Sequence, residues 1–245
     1  MSTFTQDQVS ELRAIEKARL GRGEPGVRAA LQELITRLKS GGIAGKSTDV
    51  RIVRAKRMFD LGVVRELCLK GKLPNDSFEA YLATIPEIPP EYLQDSDYEH
   101  LVLEESRIGL KRLCELGIIV FGGDDQTFEA WDHRHEDARE PRWIRLQDGR
   151  KNRNRKPDDC RQSFNTDELG TTALQGVCAY LQIPTIVADL NIGAGGHVMD
   201  LPGSVHRVNR QVCAYLGACG GQAGLDWRGR AFPFFGSSSR RECRA

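Results

Sequence analysis

The spacing of apolar residues changes character at Pro86–Pro90, and this change does most to limit what the chain can fold into. Ahead of it, apolar residues recur every three or four positions. Val9, Leu12 and Ile15 form one such stripe, Val27, Leu31, Leu34, Ile35 and Leu38 a second, and Val50, Val53, Phe59, Val63, Val64 and Leu67 a third. That is the period of amphipathic helices. Thr5-Gln6-Asp7-Gln8 has the form of a capping box, Pro25 suits a first helical turn, and Gly41-Gly42 suits a stop. A short helix is expected near Asp76–Thr84. Beyond Pro90 the pattern becomes mixed, so the predicted fold class is α+β. A helical region over 1–85 precedes a domain over 91–245 built on a mainly antiparallel sheet flanked by helices. The extended Pro86–Pro90 connector is the expected boundary, although the two parts can pack as one globule.

Within the second part, His100–Glu104 reads as a strand and Arg107–Leu116 as a helix ending at Gly117. Ile118–Phe121 reads as a buried strand, and Thr127–His133 and Trp143–Gln147 as further strands. Asp148-Gly149 closes the last of these as a tight turn. A helix is expected from Asn165 to Pro184. Thr185–Leu190, Gln211–Leu216, Gly224–Trp227 and Ala231–Phe235 are expected strands, with a hairpin turn at Trp227–Ala231. Val-Cys-Ala-Tyr-Leu occurs at both 177–181 and 212–216. Its flanks predict a helix in the first copy and a strand in the second, because five such residues suit either state.

No stretch approaches the roughly 18 apolar residues of a membrane span. Met1–Gln8 is polar and lacks the apolar core of a secretory signal. The formal net charge is +1, which gives the whole molecule no strong field for nucleic acid or membrane. The seven cysteines are odd in number and form no Cys-x-x-Cys pair, as expected of reduced thiols in a cytoplasmic protein.

Charge is uneven along the chain. Seven acids between Glu87 and Glu105 face only Arg107, whereas residues 142–161 carry eight basic residues against three acids. Arg145, Arg150, Lys151, Arg153, Arg155 and Lys156 are therefore the candidate anion-binding residues. Guanidinium and ammonium groups beside asparagines suit phosphate. The plainer reading folds this segment against the acidic stretch 87–105 of the same chain, or leaves it solvated.

A second candidate is Asp132-His133-Arg134-His135-Glu136-Asp137. On a continuing strand, Glu129, His133 and His135 point the same way. Two imidazoles and a carboxylate suit a divalent metal such as zinc. The glycine-rich loop 191–197 could present amides to an anion. Gly41–Ser47 lacks the first glycine of a phosphate-binding loop and reads as a helix stop. No Gly-x-Ser-x-Gly elbow is present.

Several fragments together resemble a bacterial domain family of unknown function. They are Arg142-Trp143-Ile144, Gln147-Asp148-Gly149-Arg150, the segment from Asp167-Glu168-Leu169 to Pro184, Asp200-Leu201-Pro202-Gly203-Ser204, and Gly236-Ser237-Ser238-Ser239-Arg240-Arg241. The resemblance spans roughly the chain after residue 100. It implies a bacterial cytoplasmic protein in which the Asp148 turn and the Gly-Ser-Ser-Ser-Arg segment share one surface, and it brings no activity with it. The leading functional expectation is a binding or accessory protein for an anionic partner, either a phosphate-bearing ligand or a nucleic acid. The alternatives are a metal-dependent hydrolase using His133 and His135 with Glu129, Asp132 or Asp137, and a homodimeric interaction module built on the N-terminal helices.

Overall fold

The computed structural model describes residues 49–93, 97–121, 128–130 and 140–241, with the backbone alone at 128–130 and 192–194. The chain divides into two units, Met1–Thr48 and Asp49–Ala245, and all described residues belong to the second. The expected helices before residue 41, and with them the dimer reading, lie outside the described residues.

Three helices come first: α1 (Val50–Asp60), α2 (Val63–Leu69) and α3 (Phe78–Ala83). The Asp49 carboxylate accepts from the Arg51 amide and starts α1. Gly62, at φ 84°, divides α1 from α2 where the periodicity alone suggests one helical region. Ser77 caps α3 through the Ala80 amide, 3.1 Å away.

These helices share a core with the sheets. Met58, Val64, Leu67 and Tyr81 pack in one cluster with Val102, Ile144 and Val177. Arg51 donates to the Leu82 and Ile85 carbonyls at the end of α3, and Arg54 donates to the Gln182 carbonyl. Guanidinium groups suit such positions because the last carbonyls of a helix have no partner within it. The Pro86–Pro90 connector therefore does not separate two cores, and the division between units falls at Thr48 instead.

The first sheet has the order β1-β4-β10-β5 and is antiparallel throughout. Its strands are β1 (His100–Glu104), β4 (Arg142–Gln147), β5 (Glu168–Gly170) and β10 (Ser239–Arg241). The second has the order β2-β8-β7-β6-β3. It comprises β2 (Val120–Phe121), β3 (Phe128–Ala130), β6 (Val198–His206), β7 (Cys213–Cys219) and β8 (Gln222–Arg228). A further strand, β9 (Phe235–Ser237), runs parallel to the start of β6. β9 and β10 are separated only by Ser238, so one segment crosses from the second sheet into the first. The fold is thus α+β with a sheet-rich C-terminal part.

Three short helices complete it: α4 (Leu110–Leu116), α5 (Pro157–Ser163) and α6 (Ala173–Gln182). Thr172 and Gln175 form a reciprocal capping box on α6. At its far end, the Gln182 amide group accepts from Leu103 N at 2.9 Å and donates to Leu103 O at 2.7 Å. It stands in for a missing strand along the open edge of β1.

Several local expectations need correction. The expected helix from Asn165 is β5 followed by α6, because Thr172 caps the helix from within it. Ile118 and Val120 are 80% and 55% exposed, so β2 is a surface edge strand and not a buried one. The expected strand Thr185–Leu190 begins instead within the 3-10 turn Pro184–Ile186, which Pro184 favours. Trp227–Ala231 is not a hairpin turn: the chain leaving β8 goes on to pair with β6. The longest strand, β6, carries Pro202-Gly203 in its interior, at a shift of register between Leu201 and Val205.

Candidate functional site

The antiparallel register of β1 and β4 sets His100 opposite Leu146. Asp148, two residues beyond Leu146, therefore comes to the start of β1. His100 Nε2 lies 3.6 Å from Asp148 Oδ2 and 3.7 Å from Glu99 Oε1. The three ligand atoms of Glu99, His100 and Asp148 all lie within 4.8 Å of one another. Burial lowers the His100 pKa, so the imidazole is neutral near pH 7 and keeps a lone pair for a metal.

The Asp148 turn is tightly held. Asp148 Oδ1 accepts from Arg150 N at 2.9 Å, Oδ2 accepts from the Arg150 guanidinium, and Gln147 Oε1 accepts from Gly149 N. His197 Nε2 meets the Asp148 carbonyl at 2.9 Å. A carbonyl can only accept, so the ring proton sits on Nε2. Burial, together with Arg150 and Arg153, pushes the His197 pKa down to about 3. His197 is thus a neutral strut beneath Asp148.

Gly149 and Gly236 touch, and a Cβ on either would run into the other's carbonyl. Gln147 and Asn152 both donate to the Ser237 carbonyl. The Asp148 turn and the Gly-Ser-Ser-Ser-Arg segment are therefore together, with Gly236–Ser239 buried.

Of the six candidate anion-binding residues, most are already engaged. Arg145 donates to the Tyr92 and Tyr98 carbonyls, Arg153 to the Gly196 carbonyl, and Arg155 to Asn152 and Ser163. Arg150 binds Asp148. Lys151 and Lys156 are exposed, and among the described residues neither has an ion pair. The acidic stretch takes part of the charge, since Arg142 binds Glu104 at 2.8 Å. His133 and His135 lie outside the described residues, and of Glu129 only the backbone is described, in β3 opposite Val205. Asp132 and Asp137 also lie outside them.

Asp148 is far in sequence from the adjacent Glu99 and His100, and the three carry no motif. Only the β1–β4 register, read with the Asp148-Gly149 turn, could have signalled them. No protein family, curated protein or solved structure matches this chain.

Proposed function

We propose that the protein binds a phosphate-bearing ligand through a divalent metal held by Glu99, His100 and Asp148. The convergence of one neutral imidazole and two carboxylates carries this reading. Nitrogen and oxygen donors of this kind suit zinc or manganese, and three protein ligands leave coordination positions for an anion. Arg150 and Lys151 follow directly on the Asp148 turn. Arg150 is bonded to the Asp148 carboxylate, and a metal on that carboxylate would free the guanidinium to face the bound anion.

Native mass spectrometry with added zinc and manganese, followed by calorimetry with pyrophosphate, tests the reading. One ion per chain is expected. His100→Ala should weaken metal uptake about 10–100-fold, the usual order for a disturbed metal site. His206→Ala, away from the site, should leave it unchanged. Pyrophosphate should bind only with metal present and be weakened by Lys151→Glu. No metal uptake, or uptake indifferent to His100→Ala, would refute the proposal.

A further inference from the structure

The second sheet has two unlike faces. Met199, Leu201, Ala214, Leu216 and Leu225 join the core. Alternation along the strands puts Asp200, Cys213, Tyr215 and Arg228 on the other face. On that side, Asp200 and Arg228 are an ion pair without a hydrogen bond. Asp200 is fully buried and neither carboxylate oxygen has a partner. The Arg228 side chain is 8% exposed, and Nε, Nη1 and Nη2 have none either. Arg228 Nε stands 3.6 Å from Asp200 Oδ1, beyond hydrogen-bond length for a charged pair.

Another buried pair among the described residues closes fully: Arg107 meets Glu105 at 2.7 Å. A buried charge left without hydrogen bonds costs several kcal/mol, so a purely structural pair would close in the same way. Here the guanidinium is held elsewhere. Its Cζ lies 3.6 Å from the Phe235 ring centroid and 4.6 Å from that of Phe232. Stacking fixes the plane and leaves the N–H edge free to donate. Phe232 is 49% exposed, so the guanidinium lies one side chain below solvent.

We infer that Arg228 and Asp200 form the receptor for a small carboxylate, which takes the guanidinium edge through both oxygens and shares one proton with Asp200. The flat fork of arginine matches a flat carboxylate. Phosphate would bring bulk and a second charge beside Asp200. No covalent bond changes. The ligand enters as an anion, Asp200 takes one proton from solvent, and Arg228 balances the remaining charge.

Burial lifts the Asp200 pKa to about 7, against the opposing pull of Arg228, so that proton is readily gained. Burial likewise raises the Cys160 and Cys213 thiols and the Tyr215 phenol, which stay neutral across this range. The charged neighbours are engaged: Asp226 accepts from Tyr215, and Arg161 of α5 binds Asp158.

Calorimetry on the full chain without added metal, using acetate and benzoate as probes, tests this inference independently of the metal site. One site is expected, with one proton taken up per ligand in alkaline buffer. Affinity should fall about tenfold per pH unit above the Asp200 pKa. Asp200→Asn should still bind, since its amide can donate, but with the pH dependence gone. Arg228→Lys should bind at least about tenfold more weakly, having lost the fork. No binding of either probe at millimolar concentration overturns the inference, as does heat from inorganic phosphate alone. An unchanged pH profile in Asp200→Asn, or unchanged affinity in folded Arg228→Lys, overturns it as well. If Arg228→Lys does not fold, the Asp200→Asn profile decides.

Discussion

Gly170→Ala should be among the most damaging single-methyl additions in this protein. Gly170 ends β5, opposite Ser239 of β10, and backs onto the Pro202-Gly203 step inside β6. An added Cβ would sit 2.5 Å from Gly203 N and 2.8 Å from the Pro202 carbonyl carbon. Ordinary contacts begin near 3.4 Å, so the two backbones would have to part by roughly 0.6–0.9 Å. Neither is a flexible side-chain end that can swing aside. The same movement stretches the hydrogen bond from Gly203 N to Thr171 O, 2.9 Å long, past useful length. Overpacking costs about 1–3 kcal/mol and the lost bond about 1 kcal/mol, together about 2–4 kcal/mol. Gly221→Ala is the control. Gly221 has φ 81° with nothing within 4 Å of a built Cβ, so only the left-handed backbone is penalised, by about 1–2 kcal/mol. Urea unfolding of both variants measures the difference through their midpoints. If Gly170→Ala loses no more stability than Gly221→Ala, the close approach of β5 and β6 is not a constraint and the reasoning fails.

Three further outcomes are expected. Arg142→Ala should cost about 2–3 kcal/mol in urea unfolding, because it strips the 2.8 Å partner from fully buried Glu104 and leaves only Gln175; Glu104→Gln, which removes the charge, should cost less. Thr172→Ala removes the cap of α6 and should cost about 1–2 kcal/mol, with loss of helical circular dichroism on mild heating. The folded-state pKa of His197 is depressed to about 3, so below pH 6.5 the unfolded chain takes up a proton that the folded chain refuses. Its contribution to stability is present above that pH and is lost as pH falls through the window toward 3; a His197→Gln variant should flatten that part of a stability–pH profile, and an unaltered slope would exclude His197 as the cause.

Much of the fold could be read from local pattern. His100–Glu104 and Arg142–Gln147 are strands because β-favouring residues meet turn formers at their ends. The paired Val-Cys-Ala-Tyr-Leu segments show where local pattern stops. The copy at 177–181 lies inside α6, whereas Cys213–Leu216 of the other lies in β7. Thr172 and Gln175 cap the first into a helix, while β6 and β8 on either side hold the second extended. Strand β6 was hidden because Pro202-Gly203 reads as a turn, and only the neighbouring strands and the β5 backbone make it a bulged strand. The site was hidden for a related reason. Glu99 and His100 meet Asp148 through strand register, and a single sequence shows no register between segments so far apart.

The segment 235–241 belongs to both sheets, pairing with β6 before Ser238 and with β4 and β5 after it. During synthesis, every strand that it joins leaves the ribosome earlier. Until it emerges, β4 and β5 lack the strand between them, and β6 shows an unpaired edge at Val198–Asp200. The nascent chain must therefore carry open strand edges from the emergence of β4, β5 and β6 until this stretch follows, which makes that interval the one most exposed to edge-to-edge aggregation.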